Sequence, residues 1–208
     1  MRLEYDRKLT ALEQMVRTLA HTAQESFHAV QDCLQQQSIR PLAGMAHLVR
    51  QAEDLFREID RNHLLLILKE QPVASDLRTI TLMQSCAMDL MRICAQLREL
   101  SRLLTETGLQ EASGLLLPMA CQVRAMVNDA VACVNSRSVS KAARVIGEDD
   151  RIDSMFADVR QKLVSKEAGE TRAQSVSLLL EAKYLERIAD QAQHMAENVQ
   201  ACCIPDSD

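Results

Sequence analysis

Apolar residues recur every three or four positions through six long segments of this 208-residue chain, the spacing of a helix that buries one face. The first segment, residues 3–36, carries Leu9, Leu12, Val16, Leu19, Ala23, Phe27, Val30 and Leu34 on one stripe. Ser38-Ile39-Arg40-Pro41 interrupts it, and Pro41, which lacks an N–H, suits the start of a second helix over 41–70. That helix presents Met45, Leu48, Ala52, Leu55, Ile59 and Leu66, with Leu65 beside them. Pro72 disfavours helix at Gln71. Ser75 is then placed as the N-cap of a third helix, with Asp76 in the first turn, where the helix dipole favours negative charge. Its stripe runs from Leu77 through Ile80, Met83, Ala87, Leu90, Cys94 and Leu97 to Leu104, and Thr107-Gly108 ends it. A fourth helix is expected over 110–135, with Pro118 either kinking it or moving its start to Leu115. A fifth spans 139–166 and stops by Gly169; a sixth opens on the capping box Thr171…Gln174 and ends near Cys202. The tail, 204–208, is expected to fray.

Six such helices joined by short turns predict an all-α protein of two tandem antiparallel three-helix bundles, residues 1–108 and 109–203. A weak internal repeat supports the division. Ala29-Val30 and Ala130-Val131 each precede a turn, Leu48–Glu53 falls where Gly147–Ile152 lies, and Arg92-Ile93 corresponds to Arg187-Ile188.

Composition narrows the class. With 2% aromatic residues, five Gly and four Pro, the chain lacks the turn residues of a β-sandwich and must build its core from Leu, Ile, Val, Ala and Met. A net charge of −5 argues against nucleic acid as a partner. The seven Cys form no C-x-x-C pair and mostly sit in apolar stripes, as reduced small hydrophobes of a cytosolic protein do. Met1–Arg7 has no apolar signal-peptide core, and the longest Leu/Ile run, 64–68, is too short to span a bilayer. A membrane role is expected only through a partner.

Candidate chemistry concentrates near the C-terminus. Glu186, Asp190 and His194 recur every four residues, so a helix stacks them on one face about 6 Å apart. Asp149 and Asp153 lie one turn apart within the acidic run Glu148–Asp153, and antiparallel packing of helices five and six would oppose the two pairs. Converging carboxylates repel unless cations separate them. Two readings stay open: a solvated flank paired with Lys183, Arg187 or Arg151, or a hard-metal site. Glu25-x-x-His28 occurs once, short of the two copies a ferritin-like di-iron site needs. His21, His47 and His63 read as surface or packing residues. No phosphate loop and no nucleophile beside a base is present, so no enzyme is expected.

Gln71-Pro-Val-Ala-Ser-Asp-Leu-Arg78 and the stretch Tyr184–Glu197 resemble the signature segments of PhoU proteins, and the likeness extends over the six-helix layout. The resemblance implies a cytoplasmic regulator, peripheral at the inner membrane face through its partners and acting as a homodimer. It would restrain high-affinity phosphate uptake and phosphate-starvation signalling by contact with the ATPase component of a phosphate ABC transporter and with a phosphate-sensing histidine kinase. It also implies iron or zinc on the carboxylate motifs. Carried over by position, those are Asp149, Asp153, Glu186 and Asp190 in the second repeat, with His194 as a fifth candidate. The first-repeat positions, Val49, Glu53, Met91 and Ala95, keep one acid, so no metal is expected there. Two alternatives accompany this reading: a di-metal carboxylate protein, and a PhoU-like adaptor for another transporter.

Overall fold

A computed structural model describes residues 2–106, 108–165 and 172–203. Among these residues the chain forms α1 (Arg2–Gln36), a 3-10 helix (Arg40–Gly44), α2 (Met45–Glu70), α3 (Ala74–Glu106), α4 (Leu109–Ser136), α5 (Val139–Gly147), α6 (Asp149–Ser165) and α7 (Arg172–Cys203). The six expected helices are present, with local corrections. The second begins as a 3-10 turn around Pro41 rather than as α-helix. The fifth is broken at Glu148, just after Gly147, whose lack of a side chain weakens the helix there. The fourth starts at Leu109, not at Leu115, and continues through Pro118 as one helix. Pro118 and Gly114, the residue whose carbonyl it frees, are both exposed, so water can satisfy that group. Val73, not Ser75, precedes α3: the Leu77 N–H bonds the Val73 carbonyl, while Asp76 lies in the first turn as expected. Thr171, Gly169 and the tail 204–208 fall outside the described residues.

α1, α2 and α3 pack on one another, and α4, α5, α6 and α7 form the matching group. The groups meet through equivalent helices, α3 against α7 and α1 against α4, so one apolar core runs through both. Phe27, Leu97 and Leu100 are fully buried in it; truncating such a Leu to Ala costs about 2–5 kcal/mol. Leu65 and Leu77, expected on the core stripes, are 39% and 40% exposed. They sit near the tip of the α2–α3 hairpin, where α1 is only beginning.

The repeat is sharper in three dimensions than in sequence. α1 and α4 end in the same way: Gln37 and Arg137 both adopt left-handed backbone (φ 49° and 48°), and the N–H groups of Ser38 and Ser138 bond the carbonyls of Cys33 and Cys133. These anchors are 100 positions apart, and the alternation of buried and exposed residues over 21–60 nearly coincides with that over 121–160. The pairings of Val30 with Val131 and of Leu48 with Gly147 are therefore each one residue out, in opposite directions. For α3 and α7 the shift is 95, as Arg92 and Arg187 suggest.

Candidate functional site

Asp149 opens α6 immediately after the break at Glu148, where the helix dipole offsets its charge. Asp153 follows one turn later and is exposed, while Glu186 and Asp190 on α7 are half-buried. The structure brings these four acids into one electrostatic neighbourhood. Burial first, then Asp153, Asp190, Asp150 and Glu186, pushes the Asp149 carboxyl up to about 6. Asp190 is also raised, by burial and Glu186, partly offset by Lys183 and Arg187. Lys183 ion-pairs with Glu186 and holds its ammonium 5.4 Å from the centre of the Phe156 ring. Arg151 pairs instead with Glu148 at 3.8 Å. The cluster thus carries four carboxylates against nearby Lys183 and Arg187. Its oxygen donors suit a hard divalent cation in type. Among the described residues, however, no three His, Cys, Asp or Glu side chains converge closely enough to hold one.

His194 is placed elsewhere. Its Nδ1 lies 2.8 Å from Oδ2 of Asp89 on α3, a residue with 0% exposure, and Arg92 approaches the same carboxylate at 3.4 Å. Burial raises the Asp89 pKa, and His194 and Arg92 oppose that rise. This contact ties the third helix of one half to that of the other. In the sequence, Asp89 is marked only as an acid directly before the stripe residue Leu90. Glu181, also fully buried, lies close enough to Cys33 to help burial push that thiol up to about 11. The Glu25-x-x-His28 match does not assemble a ligand pair: Glu25 faces His21 at 3.5 Å, while His28 meets Asp32 at 3.3 Å and Arg124 at 2.9 Å.

One family model, the PhoU domain, matches the chain twice, over residues 16–104 and again over 116–199. The chain belongs to the PhoU family. Its relatives include the phosphate-specific transport system accessory protein PhoU homolog of Synechocystis, 24% identical over 94% of this chain and 89% of that protein. The homolog of Pseudomonas aeruginosa is 28% identical over 76% and 69% of the two chains, and PhoU of Escherichia coli 26% identical over 67% and 60%. The fold matches the crystal structure of PhoU from Pseudomonas aeruginosa with a TM-score of 0.89 at 20% identity, covering 95% of this chain and 98% of that one. For the phosphate transport system regulatory protein PhoU from Streptococcus pneumoniae the TM-score is 0.74 at 18% identity, covering 95% and 96%.

Within this PhoU-family fold the two halves differ at equivalent places. Val49, at the position of Asp149, is 2% exposed. Met91 and Ala95, at the positions of Glu186 and Asp190, are half-buried. The one remaining acid, Glu53, pairs with Arg98 at 3.3 Å. The residue matching Arg98 in the second half is Gln193, so the acid-rich half also lacks the cation of the acid-poor one.

Proposed function

We propose that this PhoU-family protein is an accessory regulator of a phosphate-specific transport system, restraining high-affinity phosphate uptake and phosphate-starvation signalling when phosphate is plentiful. It acts by binding rather than by catalysis, on the ATPase component of the transporter and on a phosphate-sensing histidine kinase. The observation that carries this reading is the double match to the PhoU domain, together with relatives that are named phosphate-specific transport system accessory proteins. No helix among the described residues is long and apolar enough to cross a membrane; the proposed location is the cytoplasm, at the inner membrane face through the transporter, as a homodimer. The proposal divides the chain at Gly108, between the two matched segments. Deleting the gene and following a phosphate-starvation reporter in high phosphate tests it: derepression is expected, and unchanged repression contradicts it.

The same reading assigns iron or zinc to Asp149, Asp153, Glu186 and Asp190, and none to the first half. The mutual repulsion of these acids supports it, because a divalent cation would relieve it. Elemental analysis of protein purified without chelator is expected to find metal that the Glu186→Ala/Asp190→Ala variant lacks; metal-free wild-type protein contradicts the assignment. A second reading, an adaptor for a different transporter, draws on the apolar replacement at Val49, Met91 and Ala95. Pull-down from cells separates the two by which transporter is recovered.

A further inference from the structure

Ser75, Arg78 and Thr79 at the start of α3, Arg137 at the end of α4, and Cys202 and Cys203 at the end of α7 line one groove of about 340 Å³. None of these lining residues is acidic, in a chain whose net charge is −5. The groove continues into a second hollow that shares Arg78 and Cys202. Arg137 spends part of its guanidinium on Glu13, but a guanidinium has five N–H donors and one carboxylate does not exhaust them. Arg78 and Arg137 act on the same point from two helices: both favour the thiolate of Cys202, against a larger opposing effect of burial.

Thr79 adds an independent observation. It is 92% buried (8% exposed) and lines the groove. Thr10, Thr18, Thr22 and Thr105 turn their hydroxyls back to a carbonyl of their own helix. The Thr79 hydroxyl makes no such bond and has no partner among the described residues. The groove therefore offers two cations, an unbonded hydroxyl of a largely buried residue and the positive end of a 33-residue helix.

The repeat supplies an internal control. At the sister positions Arg137 becomes Gln37, Arg78 becomes Ala173 and Thr79 becomes Gln174, whose amide is bonded to Glu111. Neither arginine of the groove has an arginine at its own sister position.

We propose that this groove binds a tetrahedral oxyanion of the phosphate class, with Arg78 and Arg137 neutralising its charge and Thr79 donating a hydrogen bond. The inference rests on the groove alone and stands whether or not the protein regulates phosphate uptake. The ligand is free inorganic phosphate or a phosphomonoester, and the assay has an arm for each.

The test is equilibrium dialysis of the full chain against radiolabelled inorganic phosphate, with glycerol phosphate as competitor. Saturable binding is expected, weakened about tenfold or more by Arg78→Gln and by Arg137→Gln, each loss removing charge-assisted bonds. Arg144→Gln, which only breaks an exposed pair with Asp129, leaves affinity unchanged. Competition by glycerol phosphate assigns the phosphomonoester; its absence assigns the free ion. A second readout needs no variant: phosphate slows alkylation of Cys202 in the wild-type chain relative to exposed Cys121. Absence of saturable binding to either probe up to about 10 mM, arginine variants that fold and bind like the wild type, or unprotected Cys202 would each overturn the proposal.

Discussion

The two halves of this molecule share a backbone plan and a pattern of burial, yet they treat one corner of the bundle oppositely. Between α6 and α7 four acids crowd together with Lys183 and Arg187 near them. At the matching corner between α2 and α3, Val49 is buried, Met91 and Ala95 are half-buried, and Glu53 is matched by Arg98. The scaffold therefore does not require acids at these positions. Half-buried carboxylates that raise one another's pKa cost stability, and we propose that their presence in one half reflects what they bind rather than what they hold together.

The hardest blow to this comparison would come from moving an acid across it. Val49→Asp places a carboxylate at a 2%-exposed site beside Glu53, and a loss of at least about 3 kcal/mol is expected in denaturant unfolding. A loss under about 1 kcal/mol would mean that the first-half corner tolerates charge as the second does. His194→Ala follows in size. It strips Asp89 of its 2.8 Å partner and is expected to cost about 1–2 kcal/mol, strongly coupled to Asp89→Asn in a double-mutant cycle. Additive effects would show that the contact contributes nothing, and loss of metal with unchanged stability would return His194 to the acid cluster.

Asp149→Asn tests the electrostatic cost itself, on chelator-treated protein. The folded-state pKa of Asp149 is raised from 3.8 to about 6. Between those values the folded state binds a proton that the unfolded chain releases, so this group's contribution to stability falls as pH rises through the window. The penalty is complete above it. The variant should therefore gain about 1 kcal/mol at pH 7.5, allowing for solvent screening, and nothing at pH 3.5. A gain that did not depend on pH would point to packing instead. The smallest effect belongs to Arg98→Gln, which installs the second-half residue in the first: its pair with Glu53 is largely exposed, and a change within about 0.5 kcal/mol is expected. A larger change would make Arg98 a structural requirement.

The fold was legible because long apolar stripes and a few breakers, Pro72 above all, leave little choice of element. Helix interruptions were less so. Gly147 was visible, but a single glycine inside a strong stripe is usually tolerated, so its presence alone does not mark a break. The acid corner could be read from spacing because helix periodicity fixes which residues share a face. The fate of His194 could not: i, i+4 spacing put it above Asp190, but its side chain is claimed by Asp89, more than a hundred residues earlier in the chain. The groove around Arg78 and Arg137 was equally hidden, since its residues come from three helices and only the fold brings them together.

The central claim is that the acids between α6 and α7 are kept for function at the expense of stability. Its most direct test is repression of a phosphate-starvation reporter in high phosphate by the Asp149→Asn/Asp153→Asn/Glu186→Gln/Asp190→Asn protein, which is expected to fold at least as stably as the wild type. The account predicts derepression despite normal protein levels. Full repression by this charge-neutralised chain would contradict it.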